Sequence, residues 1–220
     1  ILRVVAAGAL GVLAVNSASA QTTTMDFSTH PAFADYDDLA QSFGDHANLN
    51  VSNQTRTGFG NSPTLCGNVE LWNAGYSDLA AATFACAHGN VAEFSFLPGA
   101  GKKISLTSLS VGSWLSDGTT GPLRNFTLTV YDNSWSSLFS YTGSVTTTLV
   151  LNPNVTTSGL MYLQWGTDWD VGLNLITTDV TDINGQPPST TVPEPGTMVL
   201  VSAGLAGLML AKRRRRAPLA

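Results

Sequence analysis

Positive charge is nearly absent from the middle of this sequence. Between Gln21 and Pro195 the only cations are Arg56, Lys102, Lys103 and Arg124, while all fifteen acidic residues of the chain fall in that interval. Four against fifteen leaves this body at about −11, compared with −5 for all 220 residues. A surface of that sign repels a phosphate backbone, which excludes nucleic acid as a partner. Cysteine is almost as scarce. Cys66 and Cys86 are the only two, too few for a four-thiolate zinc site, and Cys86-Ala87-His88 has no zinc-finger spacing. His30, His46 and His88 stand in no motif, and no Gly-x-Ser-x-Gly elbow occurs, so nucleophilic hydrolysis lacks its usual parts. Long hydrophobic runs are missing too. The longest uncharged apolar stretch, Thr197 to Ala211, has 15 residues, short of the roughly 20 that span a bilayer. No long amphipathic helix pattern is present.

What fills the body is Thr, Ser, Asn and Gly around alternating apolar residues, the profile of a secreted β-rich protein. In Val91 to Phe96, the residues Ala92, Phe94 and Phe96 share one face and Glu93 and Ser95 take the other. Ile104 and Leu106 alternate, then Leu109 and Val111 shift phase, which predicts a bulge. Further single faces are Phe126, Leu128 and Val130; Val145, Thr147 and Leu149; Met161, Leu163 and Trp165; and Val171, Leu173 and Leu175. Turn signals at Pro98-Gly99-Ala100-Gly101, Asp117-Gly118, Asn152-Pro153 and Ser158-Gly159 separate these runs. The stretch from Gln21 to Gly60 reads as irregular, with a short helix at Leu39 to Phe43. The expected fold is all-β: one antiparallel β-sandwich, a jelly roll, over residues 21–186. In an oxidising exported compartment Cys66 and Cys86 are expected to form a disulfide.

The two ends read as addresses. The chain opens on Ile1, and its true start is expected upstream. Arg3, the apolar run Val4 to Val15 and Ala18-Ser19-Ala20 have the layout of a signal peptide over residues 1–20, with Gln21 as the mature N-terminus. At the other end, Pro193 and Pro195 fix φ and lack an N–H, so 187–196 is an extended, accessible linker. An anchor helix over 197–211 follows. The cluster Lys212, Arg213, Arg214, Arg215 and Arg216, within the tail 212–220, then holds the C-terminus in the cytoplasm.

This succession resembles the PEP-CTERM sorting signal of Gram-negative bacteria. The resemblance implies that Pro193, Glu194 and Pro195 are the recognition element for an exosortase, a membrane-embedded protease that trims the tail. It also implies that Arg213 to Arg216 are the retention signal. The course would be export, an inner-membrane intermediate held by the C-terminal segment, then the periplasm, cell surface or extracellular matrix. Exopolysaccharide is an implied partner, since such substrates accompany exopolysaccharide loci. The body from Leu160 to Thr178 resembles galactose-binding-like and carbohydrate-binding jelly rolls, which often close on Gly-Ile-Asp-Asn-Ile. Here the run is Gly172-Leu173-Asn174-Leu175-Ile176. Asn174 stands where Asp is usual, so no cofactor or metal is assigned and a structural calcium stays open.

Other chemistry is thinner. Gly99-Ala100-Gly101-Lys102 is not a phosphate loop, because Phe96 replaces the first glycine and Lys103 the magnesium-binding hydroxyl. Asp35, Asp37 and Asp38 lack the glycine and closing Glu of an EF-hand. Asp168 and Asp170 flank Trp169 and are candidate glycan or cation contacts. Trp165 is expected in the core, whereas Trp114, Trp135 and Trp169 are open as sugar platforms. The expected function is non-enzymatic, structural or glycan-binding. The alternative is a secreted glycan-active hydrolase using Asp168 and Asp170.

Overall fold

Alternation along the strands builds two sheets whose apolar faces meet. The computed structural model describes residues 20–29, 34–73, 81–114, 123–167 and 170–183, all inside the unit Ile1–Pro187. The strands are β1 (Gln21–Asp26), β2 (Leu49–Arg56), β3 (Thr64–Cys66), β4 (Val69–Trp72), β5 (Ala82–Ala85), β6 (Val91–Pro98) and β7 (Lys102–Ser113). They continue with β8 (Arg124–Tyr131), β9 (Ser137–Val145), β10 (Thr148–Leu151), β11 (Val155–Thr157), β12 (Met161–Gly166) and β13 (Val171–Asp182). One sheet runs β10-β7-β13-β5-β4, with β11 continuing beside β7 and β1 beside β13; the other runs β3-β2-β6-β12-β8-β9. All the pairings are antiparallel. Numbering β5 to β10, then β12 and β13, as one to eight gives orders 1-8-3-6 and 2-7-4-5, the interleaving of a jelly roll. The two central strands of the first sheet, β7 and β13, are the longest at 12 residues each.

The core lies between the sheets. Phe94 stacks on Trp165 at 5.5 Å and on Phe27 at 5.7 Å, and Leu106, Leu128 and Leu163 are fully buried around them. Trp165 is core, as expected. Burying each such side chain contributes roughly 1.5–3 kcal/mol. The Cys66–Cys86 disulfide forms, with Cα atoms 6.8 Å apart. It ties the end of β3 in one sheet to the residue after β5 in the other.

Four local expectations are corrected. Gln21 to Gly60 contains β1 and β2 rather than irregular chain throughout. Leu39 to Phe43 is no helix. The Leu39 N–H bonds Val69 O at 2.9 Å, and Asn53 Nδ2 takes the carbonyls of Leu39 and Ala40, so the groups a helix would need are already engaged. Val145, Thr147 and Leu149 do not share a strand: β9 ends at Val145, Thr147 is exposed in the crossover, and β10 belongs to the other sheet. In β13 a register irregularity between Leu173 and Leu175 moves the inward set to Ile176, Thr178 and Val180, leaving Leu175 half-buried. The bulge expected in β7 is present, with pairing jumping from Ser108 to Leu106.

The signal peptide over residues 1–20 falls, up to residue 19, outside the described residues. So do the linker 187–196, the anchor 197–211 and the tail 212–220. Among the described residues no helix is long and apolar enough to cross a membrane.

Candidate functional site

The inward faces of β6, β12 and β8 are apolar, as is the Leu49–Val51 end of β2, so period-2 alternation turns the polar residues named below onto the outer face of the six-stranded sheet. Antiparallel register lines these residues up across strands. Gln54, Glu93, Gln164, Thr129 and Ser140 form one row over β2, β6, β12, β8 and β9. On one side of it runs Ser52, Ser95, Tyr162 and Tyr131; on the other run Arg56, Val91, Gly166, Thr127 and Thr142.

Glu93 is the hub of the middle row. Its carboxylate accepts from Gln54 Nε2 at 2.5 Å, Arg56 Nε at 2.5 Å, Gln164 Nε2 at 2.6 Å and Ser95 Oγ at 3.3 Å. Glu93 and Gln164 are 0% exposed although they point away from the core. The reason is a roof. Gln164 also accepts from Gly60 N at 2.7 Å and donates to Gly60 O at 2.9 Å, so a side-chain amide pairs with a loop backbone as a strand would. Arg56 Nη1 holds the same loop through Ser62 O at 2.5 Å.

Trp135 closes the opposite side. It sits in the β8–β9 turn, where Asp132 Oδ1 accepts the N–H groups of Ser134 and Ser136. Its φ is 62°, a left-handed conformation that is an outlier for a bulky residue. This geometry lays the indole on Tyr162, centroids 4.0 Å apart and planes 13° off parallel, and Arg56 Cζ lies 4.9 Å from its centroid. Burial, and secondarily the Glu93 charge, raise the Tyr162 pKa, with Arg56 opposing.

Beside this roofed network the sheet opens into a cleft of about 200 Å³. Phe59 and Phe126 are the aromatic residues of its lining, and Asn125, Thr127, Thr142, Gly166 and Thr167 complete it among the described residues. Thr127 and Thr142 hydroxyls are 3.2 Å apart across β8 and β9. A Cβ on Gly166 would stand 2.6 Å from Asn90 O, so only glycine fits there.

The residues singled out by sequence are distributed differently. Asp168 and Trp169 lie outside the described residues. Asp170 meets Arg124 Nη2 at 2.6 Å, and its backbone oxygen accepts Trp114 N–H at 2.7 Å. Neither Asp170 nor Trp114 lines the cleft. Asn174 is buried and donates to Ala81 O at 2.5 Å, a bond within the sandwich. Asp35 and Asp37 accept the N–H groups of Asn73 and Ala34, and Asp38 accepts from Asn68. No metal-binding cluster occurs among the described residues. Burial lowers the pKa of His46, against the raising effect of Asp45. His88 lies in the turn after β5, and His30 lies outside the described residues. The glutamate, arginine and glutamine of the outer face went unsingled by sequence. Their only signal was a run of i, i+2 polar pairs (Gln54/Arg56, Glu93/Ser95, Tyr162/Gln164) on strands that scatter across the chain.

Pro193, Glu194, Pro195 and Lys212 to Arg216 also lie outside the described residues, and here family comparison decides. Residues 191–216 match the PEP-CTERM protein-sorting motif. That motif marks a protein exported by way of the membrane to the cell surface, with an exosortase as the sorting partner. No curated protein matches this chain. Among solved structures, one titled "CBM4 structure and function" is similar over 52% of this chain and 86% of its own, with 14% identity and a TM-score of 0.27. The enzymatically active domain of bacteriophage CBA120 tailspike protein 4 is similar over 66% of this chain at 12% identity and a TM-score of 0.28. The match spans 20% of that tailspike chain. Likenesses at these scores bear on neither function nor ligand.

Proposed function

We propose that this protein is a non-enzymatic glycan-binding module of the cell surface or exopolysaccharide matrix, delivered by its PEP-CTERM tail. In this reading the exosortase acts near Pro193, Glu194 and Pro195 while the segment 197–211 sits in the membrane and Lys212 to Arg216 retain it. The delivered body then presents the outer face of the six-stranded sheet to polysaccharide. The observation that carries the reading is the cleft on that face. It joins aromatic residues, Phe59 and Phe126, to neighbouring hydroxyl and amide groups on Asn125, Thr127 and Thr142. Sugars are amphipathic in the same way, with C–H faces and hydroxyl rims.

Placement supports it further. The last described residue, Ile183, follows β13, and its N–H bonds Gly101 O at 3.0 Å. The cleft sits by Gly166 and Thr167, near the Val171 start of that strand. A strand of twelve residues, rising about 3.4 Å at each step, separates its first and last Cα atoms by roughly 37 Å. A site distant from the last described residue suits a binder tethered through its C-terminal side. Binding is preferred to hydrolysis because the Asp170 carboxylate is engaged by Arg124, whereas a glycosidase needs two carboxylates facing one bond.

The test is retention of the mature secreted protein on beads of the host's own exopolysaccharide, with and without calcium. Specific elution by soluble polysaccharide is expected. Passage straight through in both conditions would refute the glycan role and leave sorting untouched.

A further inference from the structure

We infer that the Phe59 cleft is a preformed subsite for a single uncharged pyranose unit, and that Gln164 is the positioning residue that holds it open. The inference rests on the glycan-binding reading and goes beyond it to ligand class and device. Size comes first. About 200 Å³ falls below the roughly 300 Å³ at which pockets for drug-sized ligands begin, so the cleft accommodates one ring of a longer chain.

Charge comes second. Among the described residues no acidic or basic side chain lines the cleft, although the body as a whole carries four cations against fifteen acids. A uronate or sulfated sugar would find no cation in the lining and an unfavourable field around it. A cationic sugar would find no carboxylate among the described lining residues. Neutral hydroxyls, in contrast, find the paired Thr127 and Thr142 hydroxyls and the Asn125 amide, each able to donate and accept, while the C–H face of the ring meets Phe59.

Rigidity comes third. Phe59 rides on a loop fixed at four points. Gly60 pairs twice with Gln164, Arg56 holds Ser62 O, Ser62 Oγ accepts Gly58 N–H at 3.0 Å, and Thr57 N bonds Pro63 O at 3.0 Å. Gly60 has φ 72°, which glycine adopts without strain. A wall already in place has little ordering entropy left to lose on binding. Gln164 does this without touching the ligand, from a wholly buried position anchored on Glu93.

The experiment uses the mature protein and calorimetric titration with neutral gluco-, manno- and galacto-oligosaccharides, against oligoglucuronate and oligogalacturonate of matched length. At least one neutral series is expected to bind, with the uronates weaker by an order of magnitude. Phe59→Ala, on a half-exposed loop, should weaken binding about tenfold, and Phe59→Tyr should restore it. Gln164→Met should weaken binding and speed hydrogen exchange at the Gly60 amide; if that variant does not fold, the Phe59 pair decides alone. Neutral-sugar binding that ignores Phe59→Ala, or a preference for uronates, overturns this inference while glycan binding stands. Failure of the unaltered protein to bind any oligosaccharide or the host polysaccharide overturns both.

Discussion

Glu93 and Arg56 show how much a residue's neighbours decide. A carboxylate with no solvent exposure is tolerable only with its guanidinium and three other donors in place. Removing Arg56 alone strands that charge. Arg56→Met is expected to destabilise the fold by about 3–5 kcal/mol, read from the chemical denaturation midpoint. Adding Glu93→Leu should return most of the loss, because an apolar pair leaves no orphaned charge. A double variant as unstable as the sum of the singles would contradict this account. Glu70 makes the opposite case. Its pKa is raised above 4.5, chiefly by burial and then by the nearby Asp38 carboxylate. The folded state therefore binds that proton more tightly than the unfolded one. The resulting stabilisation is complete below the unfolded pKa and disappears as pH rises through the folded value. Glu70→Gln should thus raise the melting temperature at pH 7 and leave it unchanged near pH 4. A gain of equal size at both pH values would rule out the charge explanation.

Among the elements, β7 and β13 show why the pattern was readable and where it broke. Ile104 and Leu106 followed by Leu109 and Val111 advertised a bulge, because one extra residue must flip the alternation. The irregularity in β13 was hidden: Val171, Leu173 and Leu175 read as one unbroken face, and only pairing against Ser110 reveals that Ile176 replaces Leu175 in the core. β2 was missed for a related reason. Its inward set is Leu49, Val51, Asn53 and Thr55, and the last two are polar. Asn53 is buried because it bonds Val69 N–H at 2.8 Å and the Leu39–Ala40 carbonyls, partners far away in sequence. The disulfide belongs to this scale too, since it joins elements of different sheets. Replacing Cys66 and Cys86 together by Ala should cost about 3 kcal/mol for a closed loop of this length, measured as a lowered guanidinium midpoint with the jelly roll retained at low denaturant. An unchanged midpoint would show the bridge to be dispensable.

For the whole molecule, the uneven distribution of charge matters most. In the proposed reading, an acidic body and a basic end would separate the part that is displayed from the part that is withheld at the membrane. Trimming near Pro195 would remove all five cations of the Lys212–Arg216 cluster and leave the mature protein strongly acidic. Intact mass spectrometry of protein taken from the cell surface is expected to show a chain beginning at Gln21 and ending near Pro195. A surface form still carrying Arg216 would contradict exosortase processing. The sorting motif and the strand periodicity are both properties of contiguous residues, and the sequence alone determined them: a Pro-Glu-Pro tripeptide, an apolar run and a basic cluster follow one another in a single string, and alternation needs only near neighbours. The candidate site is different in kind. Gln54, Gly60, Glu93, Thr127, Thr142 and Gln164 come from five strands and a loop, and nothing local brings them together. Only the jelly-roll crossover, by placing β2, β6, β12, β8 and β9 side by side in fixed register, turns scattered polar residues into one network with a cleft at its edge.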